Sequence, residues 1–166
     1  MLFIVTDFCY GGDLFEYILE RNKISEQEVY MVMKQCISAI VYIHTKNICH
    51  RDLKLENIML QNIEDLTNLK LIDFGLSKNL QKNMTMKSMC SGSPLYIAPE
   101  TIAGIVSLNC DMWSIGVVMY VLLTGKFPFQ SESIEQIFDQ IMTKPIDIIN
   151  DPELASVSVE GKDLLS

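Results

Sequence analysis

At 166 residues, with 49% apolar and 20% charged side chains, the chain has material for one hydrophobic core and is neither disordered nor fibrous in composition. A formal net charge of -8 argues against nucleic acid and anionic membrane surfaces as partners and suits basic peptides. The cysteines Cys9, Cys36, Cys49, Cys90 and Cys110 are odd in number and irregularly spaced, which argues against a disulfide framework or a zinc site and for reduced thiols.

Along the chain, residues 2–6 form a short β-prone apolar run, which Gly11 and Gly12 interrupt before a helix over residues 13–19. Ser25-Glu26-Gln27-Glu28 has the pattern of a capping box, with Ser25 as N-cap and Glu28 three residues on. Val29, Met33, Cys36, Ile37, Ile40 and Ile43 follow at helical spacing, so a core-facing helix is expected. His44 is read as a packed structural histidine and Cys49 as a small buried hydrophobe.

Beyond the polar window 50–57, the apolar runs 58–60 and 69–72 flank a polar loop and read as a hairpin that delivers Asp73. Residues 73–100 are rich in Ser, Thr and Met, with Gly92 and Pro94 as turn residues. The apolar stretch 115–123, broken by Gly116, is well short of the roughly 20 residues that span a bilayer and reads as a buried helix. Ser133-Ile134-Glu135-Gln136 is a second capping-box pattern, opening a surface helix to about Met142. Asp151-Pro152 marks a turn, and residues 160–165 begin a helix. Repeats and low-complexity tracts are absent, so a single unit is expected.

The window His50-Arg51-Asp52-Leu53-Lys54-Leu55-Glu56-Asn57, followed by Asp73-Phe74-Gly75 and Ala98-Pro99-Glu100, resembles the large lobe of a protein kinase. The resemblance implies an α+β, mainly α-helical fold: a kinase-like C-terminal lobe with short strands around the catalytic loop. Residues 1–166 are then expected to be a partial kinase domain, from the hinge strand to the start of a late helix, with the N-terminal lobe missing. Asp52 is implied to accept or orient the substrate hydroxyl proton, and Lys54 to reach the transferred phosphate of ATP as a point charge. Asn57 and Asp73 are implied to hold Mg2+, which prefers oxygen ligands.

A Lys two residues after that Asp is similar to the serine/threonine branch. Gly11-Gly12-Asp13-Leu14-Phe15, the segment 71–78 and the segment 122–129 resemble the calcium/calmodulin-dependent and calcium-dependent kinase group. No EF-hand loop occurs in these residues, so any calcium-sensing or regulatory segment is expected outside them.

The same resemblance places backbone groups near Asp7 and Cys9 at the adenine edge, Thr6 at the back of the pocket and Met59 on its floor. Glu56 and Asp13 are either solvated carboxylates or lie near the ribose and peptide groove, attracting an Arg of the substrate. Ser93 is implied to hydrogen-bond toward Asp52 and Lys54. Asp111 is implied to cap the backbone of the catalytic loop, and Trp113 to pack beneath the activation segment. His50 belongs to the catalytic-loop scaffold. Arg51 matches the position where many relatives receive an activation-loop phosphate, which points to Ser88 or Ser91 as phosphorylation sites.

The Gly-rich phosphate loop and strand Lys of the family are not in this sequence, and the usual partner of Glu100 is expected after its last residue. Weak nucleotide binding and an exposed edge strand at residues 2–5 are expected for this chain alone. Three readings stay open: a cytoplasmic serine/threonine kinase, a kinase-like binding or decoy module, and an unstable truncated product.

Overall fold

The computed structural model describes residues 3, 5–80, 86–87 (backbone only) and 92–166. Its core is built on one helix that is apolar all round. Helix α4, Asn109–Thr124, buries Cys110, Asp111, Ser114, Ile115, residues 117–119 and 120–123, as a helix without a polar face must. The long helix α2, Glu26–Thr45, packs its apolar stripe against it, while helix α1, Leu14–Arg21, joins the same core through the segments Leu55–Asn57 and Ile58–Leu60. Gly125 ends α4 at φ 73, and a Cβ there would lie 2.3 Å from Asn22 O, so only glycine allows the α1–α2 turn this close.

The Ser25 capping box is present in full: Glu28 N–H donates to Ser25 Oγ (3.3 Å), and Ser25 N–H donates to Glu28 Oε2 (2.8 Å). The Ser25 hydroxyl, which donates to Glu28 Oε2 at 2.6 Å, and then the Ser25 N–H hold the Glu28 carboxyl below its ordinary range. Val29, Met33, Cys36, Ile40 and Ile43 of the stripe are buried, with Ile37 half-buried at its margin.

Strands are short and come in antiparallel pairs. β1, Ile48–Cys49, pairs with β4, Lys78–Asn79; β2, Ile58–Leu60, pairs with β3, Leu69–Leu71, and β5, Met86–Lys87, pairs with β6, Ile105–Val106. The expected hairpin is thus the β2–β3 pair, with Ile58 opposite Leu71. Gln35 on α2 buttresses it: its amide donates to Leu66 O (2.7 Å), and its Oε1 accepts from Leu69 N–H (3.0 Å).

Helix α3 is the single turn Pro99–Ile102, and α5 and α6 span Ile134–Thr143 and Val159–Leu165. The mainly α-helical expectation with few short strands is borne out.

Two readings of local structure differ, and one side chain gains a structural role. Phe3, Val5 and Thr6 belong to no strand; they are exposed and have no neighbouring ladder among the described residues, without which a β-prone run has nothing to pair with. The second capping box is only half made: Ser133 caps Gln136 N–H (3.3 Å), but the Gln136 side chain accepts from the Ser131 hydroxyl instead of reaching back. Asp13 is the N-cap of α1 and accepts from Glu16 N–H at 2.8 Å in an exposed bond, which a solvated carboxylate also makes.

Candidate active site

The polar window sits on an alternating scaffold. Leu53 and Leu55 are buried (1% and 0% exposed), and the alternate residues Asp52, Lys54 and Glu56 are left half-buried beside them. A 3-10 turn at Leu55–Asn57 then leads into β2.

The loop is hung on the buried carboxylate of Asp111. Its Oδ2 accepts from His50 N–H (2.9 Å) and its Oδ1 from Arg51 N–H (2.9 Å). His44 Nε2 at 2.8 Å from Oδ2 completes the set, so this histidine ties the end of α2 to α4 and does more than fill space. Arg51, at φ 72, lies in the left-handed region that a non-glycine residue enters only when its surroundings hold it there. Its guanidinium donates to Leu76 O (3.2 Å). The His50 ring contacts Ile72 O at 3.0 Å and meets Phe74 edge-on at 4.8 Å, which joins the loop to the Asp73 turn.

Around Asp52 the polar atoms converge. Lys54 Nζ lies 3.3 Å from Asp52 Oδ2 and donates to Ser93 Oγ (3.1 Å). Ser93 returns two donors to Asp52 Oδ1, its hydroxyl at 3.0 Å and its N–H at 3.2 Å. Asn57 is buried, and its amide NH2 donates to Asp52 O (2.8 Å) and Oδ2 (3.2 Å), so Oδ1 is the atom of Asn57 with ligand chemistry. Gly92, at φ 119, brings the segment over the loop; a Cβ there would lie 2.9 Å from Arg51 O.

Asp73 follows the hairpin: Ile72 N–H donates to Asn57 O (3.0 Å), which places the turn next to Asn57 along the chain path. Asp73 is exposed, sits at φ 60 and accepts from Gly75 N–H at 3.0 Å. The apolar residues around it, Ile72, Phe74 and Leu76, are 37%, 45% and 39% exposed.

The remaining expected residues are more scattered. Thr6 and Asp7 are exposed, and Cys9 and Met59 are half-buried. Met59 forms a β-bridge with Asp13, while Tyr10 and Gly11 N–H donate to Gln61 O and Leu60 O, both at 3.1 Å, so this strip is attached through the hairpin. Glu56 is not an ordinary solvated carboxylate: Oε2 is buried without a hydrogen-bond partner among the described residues. Tyr96, which the motifs did not single out, is 4% exposed, and burial first, then the Glu56 charge, pushes its phenol up.

Trp113 stacks on Phe129 (6.1 Å between centroids) and packs against the cluster that holds Ile97. Ser88 and Ser91 lie outside the described residues. A larger concavity of about 670 Å³, lined by Pro99, Trp113, Ile146 and Leu165, contains none of the residues of the Asp52 cluster.

Sequence reasoning also missed a pair of thiols. Cys49 Sγ and Cys110 Sγ are 3.4 Å apart and buried, next to Asp111. Their separation in sequence, one at the end of β1 and one in the first turn of α4, carries no local signal.

A model of the protein kinase domain matches residues 1–166. The chain is 38% identical over 164 residues to calcium-dependent protein kinase 5 of Plasmodium berghei (strain Anka) and 41% identical over 165 residues to that of Plasmodium falciparum (isolate 3D7). It is 39% identical over 167 residues to myosin light chain kinase A of Dictyostelium discoideum. Each match covers 99% of this chain but 29%, 28% and 55% of the respective relative, so the chain spans about half or less of their length. With the motif residues in order on a helix-rich fold and the whole sequence matched, the chain belongs to the protein kinase domain family.

Proposed function

We propose that residues 1–166 are part of the catalytic domain of a serine/threonine protein kinase, which transfers the γ-phosphate of ATP to Ser or Thr hydroxyls of protein substrates. The observation that carries this reading is the group around Asp52. There an aliphatic hydroxyl, that of Ser93, donates to the carboxylate at 3.0 Å and accepts from Lys54 Nζ at 3.1 Å. An attacking substrate hydroxyl needs the same two neighbours: a carboxylate to take its proton and a cation for the charge that develops on the phosphoryl oxygens.

In this mechanism Asp52 orients the substrate hydroxyl and accepts its proton, and Lys54 faces the transferred phosphate. Asn57 holds the Asp52 carboxylate through its NH2. The donor set fits Mg2+: Asn57 Oδ1 and the exposed Asp73 carboxylate are hard oxygens with room for waters and phosphates. When bound, Mg2+ neutralises charge on the phosphate oxygens. Backbone near Asp7 and Cys9, with Thr6 and Met59, is assigned to the adenine, and Glu56 and Asp13 to the ribose and to basic substrate residues. The net charge of -8 supports a basic peptide as substrate.

Phosphorylation of Ser88 or Ser91, with Arg51 as the cation that would receive the phosphate, is the proposed control, and phosphopeptide mapping of the active protein tests it. A calcium-sensing segment, suggested by the names of the relatives, is placed outside these residues. No helix among the described residues is long and apolar enough to cross a membrane.

The test is Asp52→Asn in the full-length protein, assayed with ATP, Mg2+ and a basic Ser-containing peptide. Turnover falls about 10²–10⁴-fold while the unfolding midpoint stays in place. Retained turnover would overturn the mechanism.

A further inference from the structure

We propose that Cys49 and Cys110 are a peroxide-sensitive dithiol whose closure to a disulfide tethers the catalytic loop to the start of α4. The two sulfurs are 3.4 Å apart, and closure to the about 2.05 Å of a disulfide requires them to approach further by side-chain rotation. Cys49 immediately precedes His50, and Cys110 immediately precedes Asp111, the carboxylate that holds His50 and Arg51 N–H. The bond would thus pull directly on the attachment of the loop that carries Asp52.

The buried position does not leave the pair inert. Cys110 lies in the first turn of a sixteen-residue helix, where the dipole favours a thiolate. Contact with the Cys49 sulfur draws Cys110 below the ordinary thiol range, against burial and the Asp111 charge, and the same contact, with burial, holds Cys49 above it; the Cys49 thiol also has Ser107 O as an acceptor at 3.4 Å. A cavity of about 10 Å³, at the lower limit for a single water, is lined by Cys110, Thr101, Ser114, Asp52 and Ser93, so peroxide reaches the sulfurs only when the packing here opens.

The chemistry balances with hydrogen peroxide as oxidant. The Cys110 thiolate attacks one peroxide oxygen, the O–O bond breaks, and the departing hydroxide takes a proton to become water, leaving a sulfenic acid. Cys49 sulfur then attacks that sulfur, the S–O bond breaks, and a second water leaves with the Cys49 proton. Two thiols lose two electrons, and one peroxide gains them.

The experiment treats the full-length protein with hydrogen peroxide and maps its peptides by mass spectrometry under non-reducing conditions, with and without dithiothreitol. The expected product is a peptide pair joined through Cys49 and Cys110 that dithiothreitol separates. Recovery of both residues as free thiols, as sulfinic acids, or joined to other cysteines overturns the proposal.

The effect on catalysis rests on the proposed phosphotransfer. Activity falls about tenfold or more as the crosslink forms and returns on reduction, since displacement of a positioned group by about 1 Å can cost up to 10²-fold. Both Cys110→Ala and, independently, Cys49→Ala remove that response. A crosslink that leaves activity unchanged overturns the tether, whereas a crosslink in a protein with no starting activity counts against the proposed function alone.

Discussion

The two acidic turns of the site are built in opposite ways. The loop at residues 49–57 is set into the core: Cys49, His50, Leu53 and Leu55 are almost fully buried, and its backbone hangs on Asp111. The turn at residues 72–76 is exposed along its length, with a carboxylate at φ 60 that accepts only a local bond from Gly75 N–H among those described. Both meet at the His50 ring, through Ile72 O and Phe74. The difference separates two jobs. Groups that must stay within tenths of an ångström of each other are held by buried hydrogen bonds, whose loss costs more than an exposed contact. Asp73, which on the proposed function meets a ligand from outside, stays open to solvent.

If the loop is indeed the rigid member, Asp111→Ala gives the largest effect. It removes the acceptor of two buried N–H groups and a partner of His44 and costs about 3–5 kcal/mol, read as a lower midpoint in denaturant unfolding. A change under about 1 kcal/mol would mean that the loop is held elsewhere.

One step out, Gln35→Ala leaves Leu66 O and Leu69 N–H unpaired and costs about 1–3 kcal/mol. Hydrogen exchange at the Leu69 amide speeds up with it, because the hairpin that aims Asp73 loses its buttress.

Further from both turns, the α2 cap adds a pH dependence. Glu28 has a folded value below its ordinary 4.5, chiefly through the Ser25 hydroxyl and then the Ser25 N–H. A depressed carboxyl contributes stability that is fully present above 4.5 and is lost as pH falls through the lower folded value. Glu28→Gln therefore flattens the acid limb of a thermal-midpoint titration between pH 5 and 3, where those numbers denote assay conditions about the ordinary value.

The smallest stability effect belongs to Asp73→Asn. Asn tolerates the left-handed conformation, so the unfolding midpoint moves by less than about 0.5 kcal/mol. On the proposed mechanism, phosphotransfer nonetheless falls ~10²-fold or more. A large loss of stability here would place Asp73 with the buried loop.

Much of the architecture was legible because its signals are local. The Ser25–Glu28 box, the α2 stripe, the apolar α4 run and the Ile58–Leu60 and Leu69–Leu71 runs each carry their period or cap within a few residues, and each forms the element expected. The run at residues 2–6 shows the limit of such signals. Helix hydrogen bonds close within the segment, whereas a strand depends on a neighbour that its own residues do not name. Gln136 failed its capping-box part for a related reason: the Ser131 hydroxyl, outside the four-residue pattern, took its side chain.

At the candidate site, the order and spacing of Asp52, Lys54, Asn57 and Asp73 were enough to name the family by resemblance and to place the residues on a loop and a hairpin end. The sequence by itself determined which elements form, which faces are apolar and which side chains are able to serve as base, cation or oxygen ligand, because each of these depends on residue type and short-range spacing. The resemblance already implied Ser93 beside Asp52 and Lys54 and Asp111 beneath the loop; only the tertiary structure decided that His44 joins the two backbone N–H groups at Asp111 and that Cys49 sits 3.4 Å from Cys110. Those contacts join residues tens of positions apart, and packing of β1, α2 and α4 around one core, rather than any pattern along the chain, brings them within hydrogen-bond reach.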